Sequence, residues 1–201
     1  MTPPPGLRLA PHSELVPSDR LSDAIVQIRD AALVGAEAEA HRDRVIGFVA
    51  QHPDALLRSC AAGHLTGSAV VIDTSRRRTL VMLHAKLGRW FQPGGHAEGD
   101  ANLAGVALRE AGEETGIGGL AVVIPAIDID VHPVAVPGEE QHLHLDLRFL
   151  VLVPPGAAER ANHESTALRW VDLGELDDLR PPVDPSTRRL VARGLQLTQN
   201  R

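Results

Sequence analysis

The residues best equipped for chemistry lie between Gly95 and Ile117, where Arg109, Glu110, Glu113 and Glu114 crowd one short stretch. On a helix, side chains at i, i+3 and i+4 fall within roughly 100° of arc. Three carboxylates held that close repel one another unless positive charge lies between them. A divalent cation meets that need, and hard carboxylate oxygens suit Mg2+ or Mn2+. Just ahead, Pro93-Gly94-Gly95 breaks the chain, and a glycine there lets backbone approach a metal or phosphate with no Cβ in the way. Asp100 or Asn102 can cap a helix running to about Thr115, with Gly116 placed to end it. Leu103, Val106 and Ala107 share the arc of the three glutamates, so this helix packs on a sheet early and opens into a polar site late. An isolated E-x-x-E-E is usually a solvated acidic face. Glycine turns at both ends favour a site here.

The spacing resembles the signature of the Nudix hydrolase superfamily, G-x5-E-x7-R-E-U-x-E-E-x-G-U, where U is aliphatic. Gly95, Arg109, Glu110, Ala111, Glu113, Glu114, Gly116 and Ile117 hold its positions in register. Ala101 stands where the first Glu belongs, with Asp100 one residue earlier. The run Leu87 to Gly95 is similar to the family's usual approach to this box. The resemblance implies an α/β (α+β) sandwich around a central mixed β-sheet. It also implies metal-dependent hydrolysis of the pyrophosphate linkage in a nucleoside diphosphate derivative or similar small organic pyrophosphate.

Carried over residue by residue, it gives Mg2+ (or Mn2+) held by Glu110, Glu113, Glu114 and the Gly95 carbonyl, with Arg109 orienting the carboxylates. Glu164 stands six positions before Trp170, as a loop acid outside the box does in this family. It is expected to bind metal or act as base, with Glu139 and Glu140 as rivals. Glu110 and Glu164 are the leading candidates for the general base. A non-catalytic Nudix-fold nucleotide sensor is the alternative: the Ala101 departure favours it and retention of all three later glutamates opposes it. Isopentenyl-diphosphate isomerases share the fold and need a cysteine beside the site, but Cys60 lies ahead of the first sheet strand.

A second constellation lies on residues 141–153, where His142, His144, Asp146 and Arg148 alternate with Leu143, Leu145, Leu147 and Phe149. Such alternation gives a strand one polar and one apolar face. Three readings stand: a solvent-exposed face; a cleft wall on which His142 and His144 contact substrate; and a zinc site of His142, His144 and Asp146. His64, Ser68, His84, Lys86, Trp90, Phe91 and His96 gather around the approach to the box. Trp90 is a further candidate substrate contact, although core or pocket wall is the commoner role for such a ring.

The elements that must position these groups follow from periodicity. Residues 1–60 read as an N-terminal helical extension, loose and Pro-rich to about 17, then helical over 18–33 and 36–60. Residues 61–201 read as the hydrolase domain, with strands at 66–73, 78–84, 119–131, 141–153 and 168–172. The box helix lies among them, and helices at 173–179 and about 185–197 end the fold, the last with Asp184 as N-cap and Pro185 at its first position.

With 201 residues, 43% hydrophobic content and net charge −6, the chain can bury a sizeable core. Five aromatic residues and no basic run beyond Arg76-Arg77-Arg78 argue against a nucleic-acid scaffold. A single cysteine excludes an internal disulfide and suits a reducing compartment. No segment reads as a signal peptide or membrane span, so the cytoplasm is the expected location. A homodimer is compatible with this reading.

Overall fold

The architecture follows from strands that are apolar on both faces at their centres and polar at one end. In the computed structural model, which describes residues 3–135, 140–162 and 165–199, the strands are β1 (Arg8–Leu9), β2 (Gly63–Ile72), β3 (Thr79–His84), β4 (Trp90–Phe91), β5 (Gly94–His96), β6 (Ala121–Val134), β7 (His142–Leu152) and β8 (Ser165–Val171). They form one mixed sheet in the order β1-β6-β7-β2-β3-β4, with β5 against β2 and β8 against β3. Only the β2–β7 pairing among these is parallel.

Helices α1 (Leu21–Asp30), α2 (Ala36–Val49) and α3 (Leu103–Thr115) share one core with Leu65, Ala69, Val71, Leu145, Leu147 and Phe149. Helix α5 (Pro185–Gln199) and the short α4 (Leu173–Asp177) share another with Val70, Ile72, Leu150 and Leu152. Because successive strand residues face opposite ways, these two residue sets are the two faces of the sheet. The result is the expected helix–sheet–helix sandwich.

Two expectations for the N-terminal region fail. Residues 3–17 are not loose: Arg8 and Leu9 pair with Ile124 and Val123, and the Asn102 side-chain amide donates to the carbonyls of Glu14 and Val16. Nor does α2 reach residue 60. It ends at Val49, ahead of His52-Pro53, where proline disfavours the helical conformation at the residue before it. The region is built into the main core through Ala24, Ile28, Val45 and Val49.

The largest correction concerns the polar face of β7. Beyond His144 it is not open to solvent. Arg148 is 1% exposed, and its guanidinium reaches Asp146 at 2.7 Å, Asp130 at 3.2 Å and Asp128 at 3.4 Å. The register explains the gathering, since Asp128 pairs with Arg148, Asp130 with Asp146, and Ser68 with Arg148 across adjacent ladders. Arg189 of α5 adds a second cation, bonded to Asp128 and Asp130, and its remaining nitrogen meets Glu37 of α2 at 2.9 Å. Burial pushes the Asp128 carboxyl up despite these arginines. Burial also opposes ionisation of Asp130, yet the hydrogen bond with His132 and the nearby guanidinium groups hold it below the usual range.

Replacing Arg148 by Leu is expected to remove about 3–5 kcal/mol of stability, because three buried carboxylates lose their shared partner. Urea unfolding reads the change, and a loss under about 1 kcal/mol would contradict this account.

Candidate active site

Helix α3 begins at Asn102, whose side chain accepts from the Gly105 N–H, and ends at Gly116 in the left-handed conformation at φ 67°. Asn102 is therefore the N-cap, and Asp100 has a different task. One Asp100 oxygen accepts from the N–H groups of Ser18 and Asn102 at 3.0 and 2.8 Å, and the other faces Arg109 at 3.8 Å. Ala101, in the place of the first box glutamate, is fully buried. Its N–H donates to the Ser18 carbonyl and its carbonyl accepts from Gln27 of α1 at 3.0 Å.

Two glycines bring the helix and the turn together. A Cβ on Gly67 of β2 would stand 2.7 Å from the Leu103 carbonyl oxygen, so α3 can lie directly on the strand only because none is there. Gly95 pairs with Gly67 and opens to the same side, where an added Cβ would overlap the Glu110 carboxyl group. Glu114, 5% exposed, accepts from the Gly94 N–H at 2.9 Å. Glu110 is half-buried and meets Arg109 at 3.1 Å, while Glu113 is exposed on the adjoining flank. Glu110 and Glu114 thus converge on the Gly94–Gly95 backbone, a cradle of hard oxygen donors that fits a divalent cation.

Residues 64–194 match the NUDIX domain family. The chain belongs to the Nudix family. A curated RNA pyrophosphohydrolase from Sphingopyxis alaskensis is 33% identical over 119 residues, covering 53% of this chain and 72% of that protein. Among solved structures, a NUDIX-family hydrolase from Clostridium perfringens is 18% identical with a TM-score of 0.51, covering 68% of this chain and 98% of that one. A C. elegans Ap4A hydrolase is 15% identical with a TM-score of 0.52, covering 64% and 93%. At these identities the structural likeness is one of fold.

Within this Nudix chain the other expected site residues divide. Glu164 and Glu139 lie outside the described residues; Glu140 is exposed, its carbonyl 2.9 Å from Nδ1 of His142. Trp90 belongs to the α5-side core: it is 7% exposed and its Nε1 donates to the Arg180 carbonyl, so it is a wall and not a free stacking surface. Asp146 is not a metal ligand of the expected kind, since Thr66, Ser68 and Arg148 already occupy its carboxylate.

His142 and His144 lie on the sheet face away from α3, where they join His64, His96 and His132. Gly95 and His96 are neighbours in β5 that point to opposite faces, so one strand separates Glu110 from the imidazoles. Sequence reasoning missed His64 and His132 as members of this group. The signal was the parallel register of His64 with His144 and the antiparallel one of His132, neither legible from one strand alone.

Burial, followed by the neighbouring imidazoles, lowers His144 to about 2; burial, with Arg58 and His64, lowers His96 to about 4. Both are neutral in the folded protein at neutral pH, whereas in the unfolded chain they protonate near pH 6.5. Below that pH the unfolded state binds more protons, so stability falls as pH falls, by at most about 1.4 kcal/mol per pH unit for each ring. In chelator-treated protein the decline is expected from about pH 6.5 through the native value of His96 near 4. His144→Gln should flatten it in pH-dependent urea titrations; an unchanged slope would count against the buried neutral imidazole. Separately, Asp100→Ala is expected to cost about 1–2 kcal/mol through its two lost backbone contacts, read by thermal melts.

Proposed function

We propose that this Nudix protein hydrolyses the pyrophosphate linkage of a nucleoside diphosphate derivative or a similar organic pyrophosphate. The observation that carries the reading is the convergence of Glu110 and Glu114 on Gly94–Gly95, where the absent Cβ leaves room for the Glu110 carboxyl. Glu110, Glu113, Glu114 and the Gly95 carbonyl would hold Mg2+ or Mn2+, with Glu164 a further ligand; the ion would neutralise charge developing on phosphate oxygens and lower the pKa of water.

The chain's own groups do the rest. Arg109, bonded to Glu110 and facing Asp100, aims the carboxylate. Glu110, half-buried yet open to the cradle, takes the proton from the attacking water, with Glu164 as the competing base. Glu114 is fixed by the Gly94 N–H and holds the turn against the helix. Ala101 contributes no carboxylate, so the site works with three box glutamates.

The buried Ala101 is also the one feature that favours a ligand-sensing domain without turnover. A panel of nucleoside diphosphate derivatives, diadenosine polyphosphates and a 5′-triphosphorylated RNA oligonucleotide, assayed with and without Mg2+, separates the two. Hydrolysis of any member only with metal supports the enzyme; tight binding with no product across the panel supports the sensor.

Glu113→Gln and Glu114→Gln keep shape while removing charge, and each is expected to lower turnover by at least about a hundredfold, with a smaller change in KM. Full turnover in both variants would overturn the mechanism.

A further inference from the structure

The imidazoles on the α5 side of the sheet are not accounted for by pyrophosphate hydrolysis. His64 is 3% exposed, and neither of its ring nitrogens has a hydrogen-bond partner among the described residues. A buried ring left in that state costs about 1–3 kcal/mol of desolvation, which the fold has no reason to carry unless a lone pair is reserved for something. Around it the ring centroids of His142 and His144 stand at 4.8 and 5.0 Å. One donor nitrogen from each of the three lies within 4.8 Å of the others.

The strand pairing builds this group. His64 of β2 stands directly opposite His144 of β7, and His142, two residues earlier on β7, projects from the same face. The tautomer of His142 is favourable too. Its Nδ1 lies 2.9 Å from the Glu140 carbonyl, which accepts a hydrogen bond from Nδ1–H and leaves the Nε2 lone pair free to bind, the usual outer contact of a metal-bound histidine. A fourth ring, His96, has its Nε2 3.1 Å from that of His144, already the spacing of two ligands on one ion.

We propose that His64, His142 and His144 form a binding site for a zinc-class divalent transition ion, distinct from the carboxylate cradle on the other face of the sheet. Neutral imidazole nitrogens are borderline donors that suit Zn2+, Co2+ or Ni2+ and compete poorly for Mg2+. At ion–nitrogen distances of about 2.0–2.1 Å, tetrahedral ligands lie roughly 3.4 Å apart, so the three rings close by about an ångström on binding. The half-exposed His142 can make that movement by side-chain rotation. His96 or water completes the shell. The ion ties β2 to β7 where β5 leads into the box, and it gives His142 and His144 a task in place of substrate contact.

Cobalt titration of chelator-stripped protein without a polyhistidine tag tests this directly. One equivalent of Co2+ should bind with the intense visible absorption of a four-coordinate nitrogen site, and Zn2+ should displace it. His142→Ala, at a half-exposed position, should abolish that absorption and weaken binding by at least about a hundredfold. Circular dichroism establishes that this variant is folded, which His64→Gln, in the buried position, does not guarantee. Glu113→Gln with Glu114→Gln should leave the absorption intact and so distinguishes this site from the box. Absence of four-coordinate Co2+ absorption in the unmodified protein, or equal binding by a folded His142→Ala variant, overturns the proposal.

Discussion

Arg148 is the group on which the rest of the polar architecture depends. A guanidinium buried to 1% exposure can persist only with its charge matched and its donors satisfied. Asp146, Asp128, Asp130 and the Ser186 carbonyl and hydroxyl do both. Those partners come from β7, β6 and α5, so one cation fixes the register of two strands and the seat of a helix. Arg189 extends the network to Glu37 and thereby to α2. Because strands β7 and β2 are aligned by the same region, the histidines at one end of the polar face and the Gly94–Gly95 turn at its edge inherit their positions from it.

The box was legible because its chemistry is local. Glu110, Glu113, Glu114 and Gly116 lie within one helix, and helical spacing alone predicts which of them share a face. The sandwich and most strands were legible for a similar reason: apolar alternation survives in β7, and a continuous apolar run marks β3. What could not be read was pairing between distant segments. Asp128 and Asp130 reach Arg148 only after a register irregularity in β6 between Val123 and Asp128, which no periodicity announces. Of the three readings of the alternating strand at 141–153, the solvent face therefore gives way at Asp146 and Arg148 to a buried ion-pair surface. His64, placed beside the approach to the box, could not be grouped with His142 and His144 because β2 starts three residues earlier than its apolar run suggests.

The departure at Ala101 acquires a physical setting from the fold. A glutamate at this fully buried position, whose backbone is bonded to Ser18 and Gln27, would carry its carboxylate into the core, where an unpaired charge is strongly disfavoured. The alanine methyl is instead fully buried, and the neighbouring Asp100 directs its charge to two backbone donors and to Arg109. The N-terminal segment and the altered box thus belong together: the segment covers the ground that the missing carboxylate would have needed.

The pairing of Arg8 and Leu9 with Val123 and Ile124 carries a consequence for how the protein is made. On the ribosome these two residues emerge long before their partners, so the strand they form must wait, unpaired, while the sheet's centre assembles. Its closing role is correspondingly late: it covers the flank of β6 only once that strand exists. A nascent chain halted before residue 123 would keep this segment accessible to chaperones and proteases, and release from that vulnerability would coincide with completion of β6.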